Sequence, residues 1–276
     1  MIARRELLAL GALGWMLPAR AHDLLLAVPA AVEQGKLVLG KTQPGARITV
    51  DGAPVEVGTD GMFTFGIAYD RTKAARVEAR MGGRLAHRHV DVMPRIYQVQ
   101  QINGLPENEV SPPPQILQRI HEEALAIAKA RTQETNAVWY AAGLDWPVAG
   151  IVTSVYGSQR VLDGKPRAPH LGIDIAAPAG TPIRAPADGV VSLIGPNYVL
   201  DGNLTLLDHG QGVSTCYVHQ NRLEVKLGQR VRRGEKIGTI GATGRATGPN
   251  LHWGLNWFQV KLDPSLSTPT PLPPRT

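Results

Sequence analysis

Cysteine is nearly absent. The single Cys216 excludes an internal disulfide, so the usual cysteine argument about redox compartment is silent. Aromatic residues make up only 5% of the chain, and the excess of 29 Lys and Arg over 23 Asp and Glu is spread along it rather than gathered into a stripe. That pattern argues against nucleic-acid binding and leaves attraction to an anionic surface such as a cell envelope. Long apolar runs are also missing. The stretch Leu7 to Leu17 is too short to span a bilayer as a stable anchor.

What the chain does have begins at its N-terminus. "MIARRELLALGALGWMLPARA" joins a basic start, Arg4 and Arg5, to that apolar run and to Ala19-Arg20-Ala21, a small-x-small cleavage pattern. The expectation is an export signal over residues 1–21. Its removal leaves a mature, mildly basic protein in the periplasm or cell envelope, with no stable membrane span. The Arg4-Arg5 pair resembles a twin-arginine signal, which carries proteins out already folded.

With 43% apolar residues over 276 positions, the chain can fill the cores of two domains. From Lys36 to Val92, segments such as "ARITVDG", "MFTFGIAY" and "LAHRHVDV" alternate apolar with polar residues between Gly, Pro and Asp-Gly signals. This predicts a β-sandwich over 22–104. Residues 105–145 read as a proline-rich lead-in and one connecting helix, with Ile116, Ile120, Ala124 and Ile127 at helical spacing and Glu122 and Glu123 on other faces. That apolar face implies packing against a domain. The β signal resumes over 146–265 in "GVVSLIG", "LTLLDHG", "VSTCYVH" and "LHWGLNW", and 266–276 reads as a disordered tail. The expected fold class is therefore mainly β: sandwich, helical connector and a C-terminal antiparallel β domain.

The C-terminal region holds four of the eight histidines: His170, His209, His219 and His252. If "PHLGIDIAAPAG" is extended, His170 and Asp174 share a face, Gly172 between them leaves room, and Leu171, Ile173 and Ile175 point inward. The same alternation sets Asn250, His252, Gly254 and Asn256 opposite Leu251, Trp253 and Leu255, and puts Tyr217 and His219 on one face. Two imidazoles and one carboxylate suit zinc with a position left open for water, and His219 is the available base. By spacing alone each element also fits chance and ordinary buried histidines.

The stretches "HLGIDIAAPAGTPIRAPADGVV", "LDHGQG" and "YVHQNRLEVKLGQRVRRGEKIGTIGATGRATGPNLHWGLNW" together resemble the peptidase M23 family, the lysostaphin-type or LytM-type zinc endopeptidases that cut cell-wall peptides. The likeness runs from about Trp146 to Asp263. It implies one zinc per chain held by His170 and Asp174 of the H-x-x-x-D motif and by His252, the second histidine of the H-x-H motif. It further implies that His219 is a catalytic residue and that peptidoglycan stem or cross-link peptides are the substrate. The chain departs from the pattern at Asn250, where the family has a histidine. An amide can donate a hydrogen bond to a developing oxyanion but cannot shuttle a proton. The rival expectation is a zinc-binding but catalytically weakened regulator or wall-binding module that activates another hydrolase.

Other features have plainer readings. His87, His89 and Asp91 fit an exposed sandwich face, and His209 fits a residue that fixes a hairpin turn. His22 would begin the mature chain and could chelate copper, but has no visible partner. Gly238, Gly241, Gly244 and Gly248 lack the Lys-Ser/Thr pair of a phosphate loop. Cys216 reads as a buried apolar residue rather than a nucleophile.

Overall fold

The computed structural model describes residues 23–102, 113–162, 165–166 and 168–271. The expected export signal, His22, the proline-rich lead-in before Pro113 and the last five residues lie outside that set. In chain order the elements are β1 (Leu26–Ala27), β2 (Ala31–Glu33), β3 (Leu37–Thr42), β4 (Arg47–Val50), β5 (Ala53–Val55), β6 (Met62–Gly66), β7 (Ala75–Met81), β8 (Arg84–Met93), β9 (Val99–Ile102) and helix α1 (Pro114–Ala130). There follow β10 (Ile151–Ser154), β11 (Gln159–Leu162), β12 (Lys165–Pro166), β13 (Ile173–Ala176), β14 (Pro182–Arg184), β15 (Gly189–Tyr198) and β16 (Gly202–Gly210). The last are β17 (Val213–Leu223), β18 (Arg230–Val231), β19 (Lys236–Ile240), β20 (Asn250–Trp257) and β21 (Val260–Leu262). The fold is mainly β, with largely antiparallel sheets and one α-helix among the described residues, as the sequence predicts.

Period-two alternation builds the N-terminal core. On β7, Ala75, Val77 and Ala79 are fully buried while Arg76 and Arg80 face water. The sheet β1-β3-β6 supplies Leu26, Val38, Phe63 and Phe65 to the same core as Ile48, Val77 and Val90 from the sheet β2-β8-β7-β4-β5. Fully burying such a side chain contributes roughly 1.5–3 kcal/mol. His87, His89 and Asp91 lie exposed on the outer face of β8.

The larger sheet runs β10-β13-β20-β17-β16-β15-β18, with β14, β19 and β21 attached at its margins. One of its faces buries Ile173, Ile175, Tyr217, Leu251, Trp253 and Leu255. Trp146 meets Trp253 edge-on, with ring centroids 5.4 Å apart. Part of the other face is covered by α1, whose Ile127 and Ala130 pack on Leu204, Leu206, Cys216 and Val218.

Several details differ from the sequence reading. β9, expected within the sandwich, pairs in parallel with β11 in a separate sheet β12-β11-β9. Tyr140 and Leu144, expected in the connector, are buried in the C-terminal core. The chain also stays packed past 265: the Lys36 ammonium donates to the Leu266 carbonyl, and the Leu144 amide donates to the Ser267 carbonyl at 2.8 Å. On α1 the packed side includes Glu123, whose side chain is only 13% exposed, while Ala124 faces water. Glu123 is held there by polar partners, which an apolar-periodicity argument does not register.

The N-terminal region braces the C-terminal one through Arg95. Its guanidinium pairs with the buried Asp263 carboxylate at 2.8 Å, and its amide donates to Gln34 Oε1 at 2.9 Å. Beside it Tyr97 stacks on Tyr69 and lies against Gly157, where a Cβ would come within 2.0 Å of the Tyr97 ring. No helix among the described residues is long and apolar enough to cross a membrane.

Candidate metal centre

Two strands and one loop bring the predicted ligands together. Asp174 on β13 sits directly across from His252 on β20, so the two side chains share the face opposite the core. His170 is not on the strand, as the alternation argument assumed, but in the loop before it. Its backbone is pinned there by the Gly157 amide donating to the His170 carbonyl at 2.7 Å and the His170 amide donating to the Ser158 carbonyl at 2.8 Å. The loop that bears Gly157 is the one Tyr97 covers, so the first candidate ligand is indirectly held by the N-terminal region.

The ligand atoms converge closely. His170 Nε2 lies 3.1 Å from Asp174 Oδ1 and 2.9 Å from His252 Nδ1, and His252 Nδ1 lies 2.9 Å from Asp174 Oδ1. All three residues are half-buried. His170 Nδ1 faces Ser154 Oγ at 3.1 Å and the Val155 carbonyl at 3.3 Å. A carbonyl can only accept, so the proton sits on Nδ1 and Nε2 presents a lone pair. Burial opposes ionisation of Asp174, but when the two imidazoles are protonated their hydrogen bonds and charge outweigh it and hold the carboxyl well below the usual carboxylate range, a role a bound cation would take over from those protons. Two imidazole nitrogens and one carboxylate oxygen aimed at one point suit a single cation, and the set leaves room for a further ligand. Among the described residues no other group of His, Cys, Asp or Glu side chains meets this geometry.

Gly172 makes the convergence sterically allowed. A Cβ at that position would stand 2.4 Å from His252 Cε1 and 2.9 Å from the Trp253 carbonyl. The room the sequence reading expected at Gly172 is there, and it is taken by the His252 ring.

His219 reaches this side of the sheet by a bulge. Simple alternation gives it the face of Tyr217, yet Tyr217 is fully buried in the core while His219 is half-exposed. Between the Thr205–Tyr217 and Asn203–Gln220 pairs, β17 spends one residue more than β16, and at the same place β17 exchanges its partner β20 for β19. His219 takes φ 67°, a left-handed value uncommon outside glycine. Its Nδ1 lies 2.8 Å from the Thr243 carbonyl and must donate to it, so Nε2 is left as an acceptor. Burial lowers the His219 pKa below its ordinary value; the Thr243 carbonyl opposes that shift, and the charges of His252 and Asp174 act on the ring from nearby.

Asn250 opens β20 across from Ala176, on the side of His252. Its backbone amide donates to Gly241 at 3.0 Å, while its Oδ1 is buried without a hydrogen-bond partner. His209 is more buried than a turn residue: it sits inside β16, with Nδ1 donating to the Asp188 carbonyl at 2.7 Å and Nε2 2.8 Å from Thr215 Oγ. Cys216 is buried, as expected. Sequence reading missed Ser154, Thr243 and Gly157, which touch the site residues through backbone atoms and a short hydroxyl and leave no spacing signature.

The profile of Peptidase family M23 matches residues 168–264, a span that contains every residue just described as a ligand. The chain is 31% identical to a Pseudomonas aeruginosa crystal structure whose description assigns it to peptidase M23, covering 84% of this chain and 93% of that one with a TM-score of 0.66. It is 47% identical over 88 residues to the Vibrio cholerae peptidoglycan DD-endopeptidase ShyA, covering 32% of this chain and 20% of that protein. It is 45% identical over 103 residues to the DD-carboxypeptidase/endopeptidase Mpg of Neisseria meningitidis, covering 37% of this chain and 24% of that one. The chain thus spans about a quarter or less of these two curated relatives. By its profile match and its likeness to the Pseudomonas structure along nearly the whole of both chains, this protein belongs to peptidase family M23.

Proposed function

We propose that this protein is a zinc-dependent endopeptidase that hydrolyses amide bonds in peptidoglycan stem or cross-link peptides. The observation that carries this reading is the convergence of His170, Asp174 and His252 within 3.1 Å of one another, with His219 following Val218, the residue that pairs with His252 across β17 and β20. The printed names of ShyA and Mpg support the substrate class.

His170, Asp174 and His252 would hold the ion. Zinc bound there supplies Lewis-acid polarisation of the scissile carbonyl and makes the attacking water more acidic. His219 accepts the water proton at Nε2, because its Nδ1 is already committed to Thr243. Thr243 keeps the ring from presenting its other nitrogen. Asn250, at the start of β20 on the same face, steadies the developing oxyanion through its amide. An extended peptide suits a groove floored by a sheet, with recognition through backbone hydrogen bonds.

Peptidoglycan lies outside the cytoplasmic membrane, so the reading requires export, which the first 21 residues are expected to direct. The complete ligand set favours hydrolysis over the regulator alternative. Metal analysis of the purified protein, paired with a peptidoglycan digest, tests the proposal. One zinc per chain and soluble peptide release are expected, with both abolished in His252→Ala.

A further inference from the structure

We infer that Glu123, on the connecting helix α1, is a positioning residue for His219, acting through the turn between β15 and β16. This inference rests on the assignment of His219 as the proposed base. Glu123 Oε2 accepts from the Val199 amide at 2.8 Å, and Arg119 holds Glu123 Oε1 at 2.8 Å while donating to the Asn197 carbonyl. The two residues of one helical i,i+4 pair therefore grip the end of β15 and the turn that follows it.

That turn fixes His219 from two directions. The Asp201 carbonyl accepts from the His219 backbone amide at 2.9 Å, holding the bulge with its left-handed φ. The Leu200 carbonyl accepts from the Arg245 amide at 2.9 Å, which anchors the loop whose Thr243 carbonyl receives His219 Nδ1–H. Thr243 Oγ accepts from the Asn203 amide and donates to the Gln220 carbonyl, each at 2.9 Å. Turn and loop meet without side chains between them, because a Cβ on Gly202 would lie 2.3 Å from the Thr243 carbonyl carbon.

Glu123 thus holds the Val199 end of a short rigid path whose other end sets both the main chain and the tautomer of His219. A carboxylate gripping a backbone amide and an arginine together makes charge-assisted bonds that are hard to replace with water. Ile127 of the same helix packs against the cluster of Leu204, Leu206, Cys216 and Val218, the last of which precedes His219 in the chain.

The test is the tautomer of His219, read by long-range proton–nitrogen NMR of full-length protein labelled at histidine, alongside peptidase kinetics. The parent should show the Nδ1–H form alone. Glu123→Ala should add the Nε2–H form and lower kcat on the order of tenfold with KM and metal content unchanged, since small misplacements of a catalytic group carry large rate costs. Glu123→Gln keeps an oxygen for the Val199 amide and should recover most of both effects. A Glu123→Ala protein with His219 still wholly in the Nδ1–H form overturns the inference. Turnover missing from the parent, with the tautomer shift present, overturns the peptidase reading and leaves the positioning role standing.

Discussion

The His252 ring occupies the volume that a side chain on Gly172 would need, with Cε1 only 2.4 Å from the Cβ position. The place of one candidate ligand therefore depends on the absence of another residue's side chain. Gly172→Ala should push the ring or the β13–β20 pair apart and weaken metal binding about 10- to 100-fold, the range seen when support around a metal ligand is lost. Competition with a zinc chelator measures it, and unchanged affinity would count against the geometry.

His219→Ala should retain the metal and lower kcat about 100- to 10,000-fold, the usual contribution of a positioned acid or base. A base works only while neutral, and burial lowers the His219 pKa below the ordinary 6.5. The rate should accordingly hold as pH falls through 6.5 and decline only below it. A decline centred above pH 6.5 would be inconsistent with His219 as this base.

Asn250→Ala should cost on the order of 100-fold in kcat if the amide steadies the oxyanion. Asn250→His restores the group the family carries there and should raise kcat. Steady-state kinetics on a soluble muropeptide distinguish the two variants, and equal rates for Asn250→Ala and the parent would remove Asn250 from the mechanism.

His209 predicts a stability effect far from the chemistry. Burial lowers its pKa from 6.5 to about 4, against the opposing bond to the Asp188 carbonyl. Between those values the unfolded chain binds a proton that the folded one refuses. The native state should be at full strength above pH 6.5 and lose about 3 kcal/mol as pH falls through 4. Urea unfolding across that window checks the loss, and His209→Gln should flatten it.

The fold class was legible in the sequence because burial imposes strict alternation on β13 and β20, and the three candidate ligands stood out because the His and Asp spacings sit inside long matching motifs. That His170 lies in the loop before β13 was not legible. His219 was legible as a residue but not as a geometry. Its bulge moves it off the Tyr217 face, and nothing in "TCYVHQ" announces an extra residue in β17. Glu123 was misplaced because periodicity counts apolar positions, whereas its place on the packed side of α1 comes from Arg119 and the Val199 amide. The Arg95–Asp263 pair was equally hidden, since it joins residues 168 positions apart and depends on how two sheets meet.

The claim that this site cuts peptidoglycan peptides is tested most directly by mass spectrometry of muropeptides after purified peptidoglycan is incubated with the zinc-loaded protein. The account predicts cross-linked dimers converted to products of amide hydrolysis, with no conversion by His252→Ala. Intact muropeptides in the presence of one zinc per chain, with hydrolysis appearing only in Asn250→His, would contradict it.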